Sequence, residues 1–173
     1  MSNAGEGSSK SYTDVSNPGA AVTDRSVDGW IYQPFEETPP GREGQTVVTM
    51  AMLPNLKQFA RDPRDWPMFI QTFKNMVHNM FVSDAHRLTL LHTMLASNLR
   101  TGMSQILTSP MAYRNALQEL RRKYGQPHLV VQTYIQGLMD LPPVRGDTIE
   151  AFSSQLHGAV STLESSGYGH ELE

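Results

Sequence analysis

FARDPRDWPMFIQTF, Phe59–Phe73, is the stretch whose reading decides the fold. A polar, glycine-rich leader ends here and an apolar pattern with helical spacing begins. Asp65 can cap a helix, and Pro67 in its first turn has no amide hydrogen to lose. Trp66, Phe69, Ile70, Phe73, Val77 and Met80 follow at intervals that put them on one helical face. The spacing predicts a first helix whose apolar stripe starts at an indole.

Working outward, Ser83 opens a second helix, SDAHRLTLLHTMLASNL, with Leu88, Leu91, Leu95 and Leu99 as its stripe. Gly102 interrupts, and a turn is expected over Met103–Leu107. Ser109-Pro110 starts a third helix, with Ala112, Tyr113, Ala116, Leu117, Leu120 and Tyr124 inward. Arg121, Arg122 and Lys123 suit its C-terminal dipole, and Gly125 can supply a left-handed stop. Pro127 begins another helix, which Pro142-Pro143 must end. Asp147 and Glu150 read as an approximate capping box before a last helix. In that helix Ile149, Phe152, Leu156, Ala159, Val160 and Leu163 face inward, and Ser-Ser-Gly-Tyr-Gly reads as its stop. No two strands pair, so the expected fold is all-α.

Upstream, residues 1–50 are rich in Gly, Ser, Thr, Pro and acids. Ordering them costs roughly 1–2 kcal/mol per residue, and their apolar area is too small to offset it. They are expected to be a disordered leader. The exception is an aromatic island at 29–41, GWIYQPFEETPPG, read either as a docking motif or as a contact with the chain's own domain. TVVTMAML, residues 46–53, has the β-branched character of a short extended segment. Residues 51–125 form an expected N-terminal helical lobe and 126–173 the start of a second. Two helices bury only part of their faces, so the second lobe either docks on the first or continues past Glu173; the second alternative is expected.

Composition narrows the function. The chain of 173 residues has no cysteine, hence no disulfide framework, cysteine nucleophile or Cys-ligated zinc. It has no membrane-length apolar run and no signal-peptide core, and an intracellular, cytoplasmic protein without membrane insertion is expected. Six histidines show no HExxH spacing, and His86 and His92, six apart, do not share a helix face. Phosphate loops and nucleophile elbows are absent from the sequence, so neither an enzyme nor a cofactor is expected. Charge is uneven: net −3 over 1–58, +5 over 59–126 and −5 over 127–173. A basic module before an acidic one fits a solvated surface, nucleic-acid binding or head-to-tail self-attraction.

FARDPRDWPMFIQTFKNMVHN resembles the opening of the Gag capsid region of BEL/Pao-type LTR retrotransposons. There a phrase like Phe-x-Gly-Asp-Pro-x-x-Trp-x-x-Phe precedes the first capsid helix. Phe59, Asp62, Pro63, Trp66, Phe69 and Phe73 match it, with Arg61 where the phrase has Gly. MLPNLKQF, SDAHRLTLLHTML and YRNALQELRRKYGQPHLVVQTYIQGLMDLPPV are similar to that family's lead-in, second helix, and helix–hinge–helix. The resemblance covers about residues 52–166. RGDTIEAFSSQLHGAV, with Gly146, Asp147, Ile149, Glu150, Phe152 and Leu156, resembles the reduced major homology region of gypsy-type Gag and its domesticated relatives; Arg145 replaces its Gln, and its helical Arg is Gln155 or absent.

What the resemblance implies is a retrotransposon capsid-like fold. Asp62-Pro63 turns the chain, and Trp66 with Phe69, Phe73, Leu91, Leu95, Leu117 and Tyr124 plugs the N-lobe. Gly125, Gln126 and Pro127 form the inter-lobe hinge. The implied function is a structural Gag-like protein, partnered by itself, that assembles into a shell packaging RNA. RNA would be held mainly by regions beyond this chain, with Arg121, Arg122 and Lys123 as a cluster that can meet phosphate. The alternative is a domesticated adaptor that binds peptides in a groove lined by Met76, Met80, Met94 and Met103, with the leader's island in the groove in cis or in a neighbour.

Overall fold

The computed structural model describes residues 26–35, 51–52, 55–81, 83–106 and 112–172. Among them the chain is all-α. Six α-helices succeed one another: α1 (Trp66–Phe73), α2 (Asp84–Met94), α3 (Ser97–Gly102), α4 (Ala112–Tyr124), α5 (Pro127–Met139) and α6 (Ile149–Ser165). The Ser109-Pro110 start, and all but Ala51 and Met52 of the extended segment expected at 46–53, lie outside the described residues. Those two are helical, as suits Ala and Met.

The entrance to α1 is built by Asp62 and not by Asp65. The Asp62 carboxylate accepts the Arg64 N–H at 2.9 Å and so caps a 3-10 turn, Pro63–Asp65, that leads into the helix. Asp62 has the extended backbone a cap needs, whereas Asp65 is already helical. Asp65 instead accepts from Lys57 Nζ at 2.7 Å on the surface. Arg61 has φ 87°, the left-handed conformation that favours glycine. The turn therefore keeps a glycine-like backbone where the chain carries Arg, held by Arg61 Nη2–H donating to the Asn98 carbonyl at 3.0 Å.

The expected first helix widens before it ends. After Phe73 the backbone forms a π turn, Lys74–His78, closed by Asn79 N–H to the Lys74 carbonyl at 2.9 Å. The expected single second helix is divided at Leu95. There Phe59 N–H donates to the Met94 carbonyl (3.0 Å) and Ala96 N–H to the Phe59 carbonyl (2.9 Å), an isolated parallel bridge. Ala96 thus spends its amide on Phe59, and the α2 ladder stops. Leu91, Leu95 and Leu99 are still buried, Leu88 partly so.

One buried cluster runs through the molecule. It joins Phe59, Trp66, Phe69, Phe73, Leu91, Leu95 and Leu117 to Val130 and Val131 of α5, Leu163 of α6 and Tyr168 beyond it. Tyr124 packs on its edge, its ring 5.5 Å from Phe59. The core is therefore continuous across the boundary expected at residue 125. The last helices dock on the first lobe through these side chains. Tyr134 O–H of α5 also donates to the Arg64 carbonyl, 3.1 Å away.

Gly125 acts through its lack of a side chain, not through a left-handed stop. Among the described residues only Gly167 is a glycine with positive φ. A Cβ at Gly125 would collide with Trp66 Nε1 and Cε2, so the α4–α5 link, Gly125–Pro127, rests directly on the indole. Burying that ring contributes about 5 kcal/mol, from ~200 Å² at ~25 cal/mol per Å².

The last helix departs from its expected face. Asp147 and Glu150 are exposed and form no capping box. Thr148 precedes α6, but its hydroxyl serves the turn, accepting Arg145 N–H (2.7 Å) and donating to the Arg145 carbonyl (3.0 Å). Ala159 and Leu163 are buried, Phe152 half-buried, and Ile149 and Leu156 exposed. Gly146 lies exposed in the preceding turn. The helix ends as its sequence predicts. Gly167 (φ 79°) donates to the Glu164 carbonyl and Tyr168 N–H to the Leu163 carbonyl, a Schellman arrangement that turns Tyr168 inward.

Two substitutions should move thermal unfolding in opposite directions. Gly125→Ala should destabilise by about 3 kcal/mol through overpacking against Trp66. Arg61→Gly should stabilise by about 1 kcal/mol by relieving the left-handed residue. Melting of both purified variants beside the parent checks this; a stable Gly125→Ala chain would contradict the contact.

Candidate functional site

The leader is drawn onto the bundle at one carboxylate. Ser26–Phe35 is compact: Gly29 N–H donates to the Ser26 carbonyl, Ile31 N–H to Asp28 and Gln33 N–H to Trp30, each at 3.1 Å. Gly29–Tyr32 forms a 3-10 turn. Asp28 has no exposed surface. Its Oδ2 accepts from Trp66 Nε1–H at 2.8 Å and from Tyr168 O–H at 3.0 Å. Arg121 Nε lies 3.1 Å from the same oxygen. Oδ1 accepts from Ser26 Oγ–H at 2.7 Å. Burial, and next the Asp28 carboxylate beside it, pushes the Tyr168 phenol well above its ordinary pKa. It stays a donor at any neutral pH.

Two distant donors and one guanidinium thus meet on one residue of the leader. Trp66 comes from the start of α1, Arg121 from the last turn of α4, and Tyr168 from the turn after α6. Val27 N–H adds a backbone bond to the Ser166 carbonyl at 3.0 Å. Burying a charge costs several kcal/mol, and only opposite charge and several good donors offset it.

The other half of the seat is aromatic. Trp30 and Ile31 are buried and Phe35 is partly buried. The π turn brings His78 under them, 4.3 Å from the Trp30 ring and 4.5 Å from Phe35. His78 Nδ1 and Tyr113 OH are 2.7 Å apart. Arg87, 4 % exposed, donates to the His78 carbonyl (2.8 Å) and pairs with Asp84 (3.0 Å). Arg114 stacks over Phe35 at 3.8 Å and donates to the Gln33 carbonyl at 3.2 Å. Such contacts contribute about 0.5–2 kcal/mol each. The island's contact with its own domain, one of the two readings its sequence left open, is what the structure shows.

The other expected site residues are distributed differently. Of the basic trio, Arg121 lies against Asp28, and Arg122 and Lys123 both reach Glu119, at 2.8 and 3.1 Å. The Arg122 guanidinium holds the Glu119 carboxyl down at about 2. The methionine groove is not formed: Met94 and Met103 are buried and Met76 and Met80 pack on the core. An apolar pocket of about 270 Å³ lies nearby instead, lined by Leu56, Phe59, Met68, Phe69 and Met94 among others. His86 and His92 are exposed, as their helix positions predict. Among the described residues no three side chains gather as a metal site. No helix there is long and apolar enough to cross a membrane.

Asp28, His78, Arg87 and Tyr168 escape the sequence reading. Asp28 sits among leader acids with nothing to mark it, and a π turn leaves no periodicity to find. The available signal is Trp30-Ile31 itself, an apolar pair too costly to leave in water.

Burial, and then the Arg87 charge, lowers the His78 pKa from 6.5 to about 4. Between those values the unfolded chain binds the extra proton, so stability rises with pH. The contribution is complete above about pH 6.5 and lost as pH falls to about 4, some 2–3 kcal/mol in all. Urea unfolding at pH 7 and pH 5 should show this slope in the parent and a flatter one in His78→Phe; equal slopes would contradict the buried neutral imidazole.

No curated protein and no solved structure matches the chain. One family model does, that of DUF1759, described as a protein of unknown function, over residues 59–172. That span holds the six helices described above and Trp66, Arg121 and Tyr168, the three residues that meet Asp28. The chain belongs to the DUF1759 family, a domain commonly found in retrotransposon Gag-like proteins.

Proposed function

We propose that this is a structural Gag-like protein of BEL/Pao type, which associates with copies of itself in the cytoplasm to build a capsid shell around retroelement RNA. Its role is one of packing and not of catalysis. The observation that carries the reading is the unburied apolar side chains of the last two helices and their link: Ile135, Met139 (73 % exposed), Val144 in the link, Ile149 (57 %) and Leu156. Within a Gag-related domain, such a surface suits a second copy of the chain. Charge complementarity supports that occupant, since residues 127–173 carry net −5 and residues 59–126 net +5. Weak contacts of this kind become stable by repetition. With Arg121, Arg122 and Lys123 engaged internally, RNA is assigned mainly to regions beyond this chain.

The alternative, a Gag-derived adaptor that binds peptides, is favoured by the seat of Ser26–Phe35. That seat holds a short segment largely through side chains.

Light scattering over concentration at about 0.1 M and about 1 M salt tests the assembly reading, because the Debye length falls from ~10 Å to ~3 Å. Association should be strong at low salt and weaker at high salt. It should be lost in Ile149→Asp/Leu156→Asp with helix content retained, since both side chains are exposed. A strict monomer at high concentration and low salt would contradict it.

A further inference from the structure

We infer that the cleft around Trp66, Arg121 and Tyr168 is a recognition site for the Ser26–Phe35 segment of a second copy, so that neighbouring chains can exchange their leaders. The segment behaves as a ligand. It closes its own turn with internal backbone bonds, and few of its backbone groups bond to the bundle: Val27 N–H to Ser166 and the Gln33 carbonyl to Arg114. Its grip is one carboxylate and an aromatic cluster.

The family match separates ligand from receptor. It begins at Phe59, so Trp66, Arg121, Tyr168, His78, Tyr113 and Arg114 lie inside the shared domain, while the whole of Ser26–Phe35 lies outside it. The domain thus presents a site with two donors and a guanidinium charge at one carboxylate oxygen, beside a ring-lined slot with a stacked guanidinium. Its ligand class is a short acidic–aromatic peptide of the form Asp-Gly-Trp-Ile-x-x-x-Phe. Every copy carries that peptide. Residues 36–50, fifteen in number, connect it to the domain. At about 3.3–3.6 Å per residue they reach at most ~50 Å, and exchange requires the same cleft on an adjacent molecule to lie within that reach. Seating in cis wins in dilute solution because the tethered segment has a high effective concentration, and exchange grows as copies are crowded together. The inference does not rest on the assembly reading, since it concerns a different surface from the exposed α5–α6 side chains.

The absence of cysteine permits a direct test on the full chain. Gln33→Cys and Asn115→Cys place thiols on two exposed residues, one in the segment and one on α4 beside Arg114. A chain carrying both should be joined internally by a flexible bismaleimide, which checks the seat itself. Chains carrying one each, mixed and incubated from micromolar to millimolar concentration, should give a covalent one-to-one heterodimer that increases with concentration. Placing Asp28→Asn on the Gln33→Cys chain should lower that product at least tenfold. No heterodimer at millimolar concentration beside full internal joining would overturn exchange. Failure of the doubly substituted chain to join internally would overturn the seat. An assembled but unexchanged protein would leave the proposed function standing and remove this inference alone.

Discussion

Asp28 Oδ2 is where the chain is tied. Trp66 Nε1–H and Tyr168 O–H donate to this oxygen and Arg121 Nε lies 3.1 Å away, so residues separated by up to 140 positions meet on one atom. An isolated carboxylate there would be expelled or protonated. The two donors and the Arg121 charge make its burial tolerable, and each is fixed by something else. Trp66 is pressed by Gly125, Arg121 sits in the last turn of α4, and Tyr168 is aimed by the Schellman glycine Gly167. Three local devices converge on one electrostatic requirement.

The arrangement explains why the halves of the chain share a core. Trp66 begins the first helix and touches the link between the fourth and fifth. Tyr168 brings the end of the sixth onto the same ring. With the leader's Trp30 and Ile31 added, the bundle buries apolar surface contributed from both ends of the sequence. Among the side chains left uncovered are Ile135, Met139 and Ile149 on the outer side of the last two helices. That exposed surface is therefore separate from the surface that closes the fold.

Much of this was legible in the residues. The 3.6-residue stripes of α1 and α4, the Pro67 and Pro127 starts, the Ser-Ser-Gly-Tyr-Gly stop and the burial of Trp66 follow from propensity and periodicity. The failures have physical causes. Asp65 lost the cap because Pro63 starts the turn earlier, at Asp62. The second helix broke because Phe59, thirty-seven positions away, takes the Ala96 amide. Ile149 and Leu156 read as core because periodicity locates an apolar face and not what covers it. Asp28 was illegible because its importance is tertiary: nothing near it in sequence supplies its partners.

The most direct test of the account is urea unfolding of Asp28→Ala at neutral pH. Removing the carboxylate takes a counter-charge from beside Arg121 and the acceptor from two buried donors, and a loss of about 3–5 kcal/mol is expected. The leader should come away with it, as increased amide exchange over Val27–Gln33. A loss below about 1 kcal/mol, with those amides still protected, would mean that the aromatic contacts alone hold the segment and that Asp28 does not tie the fold.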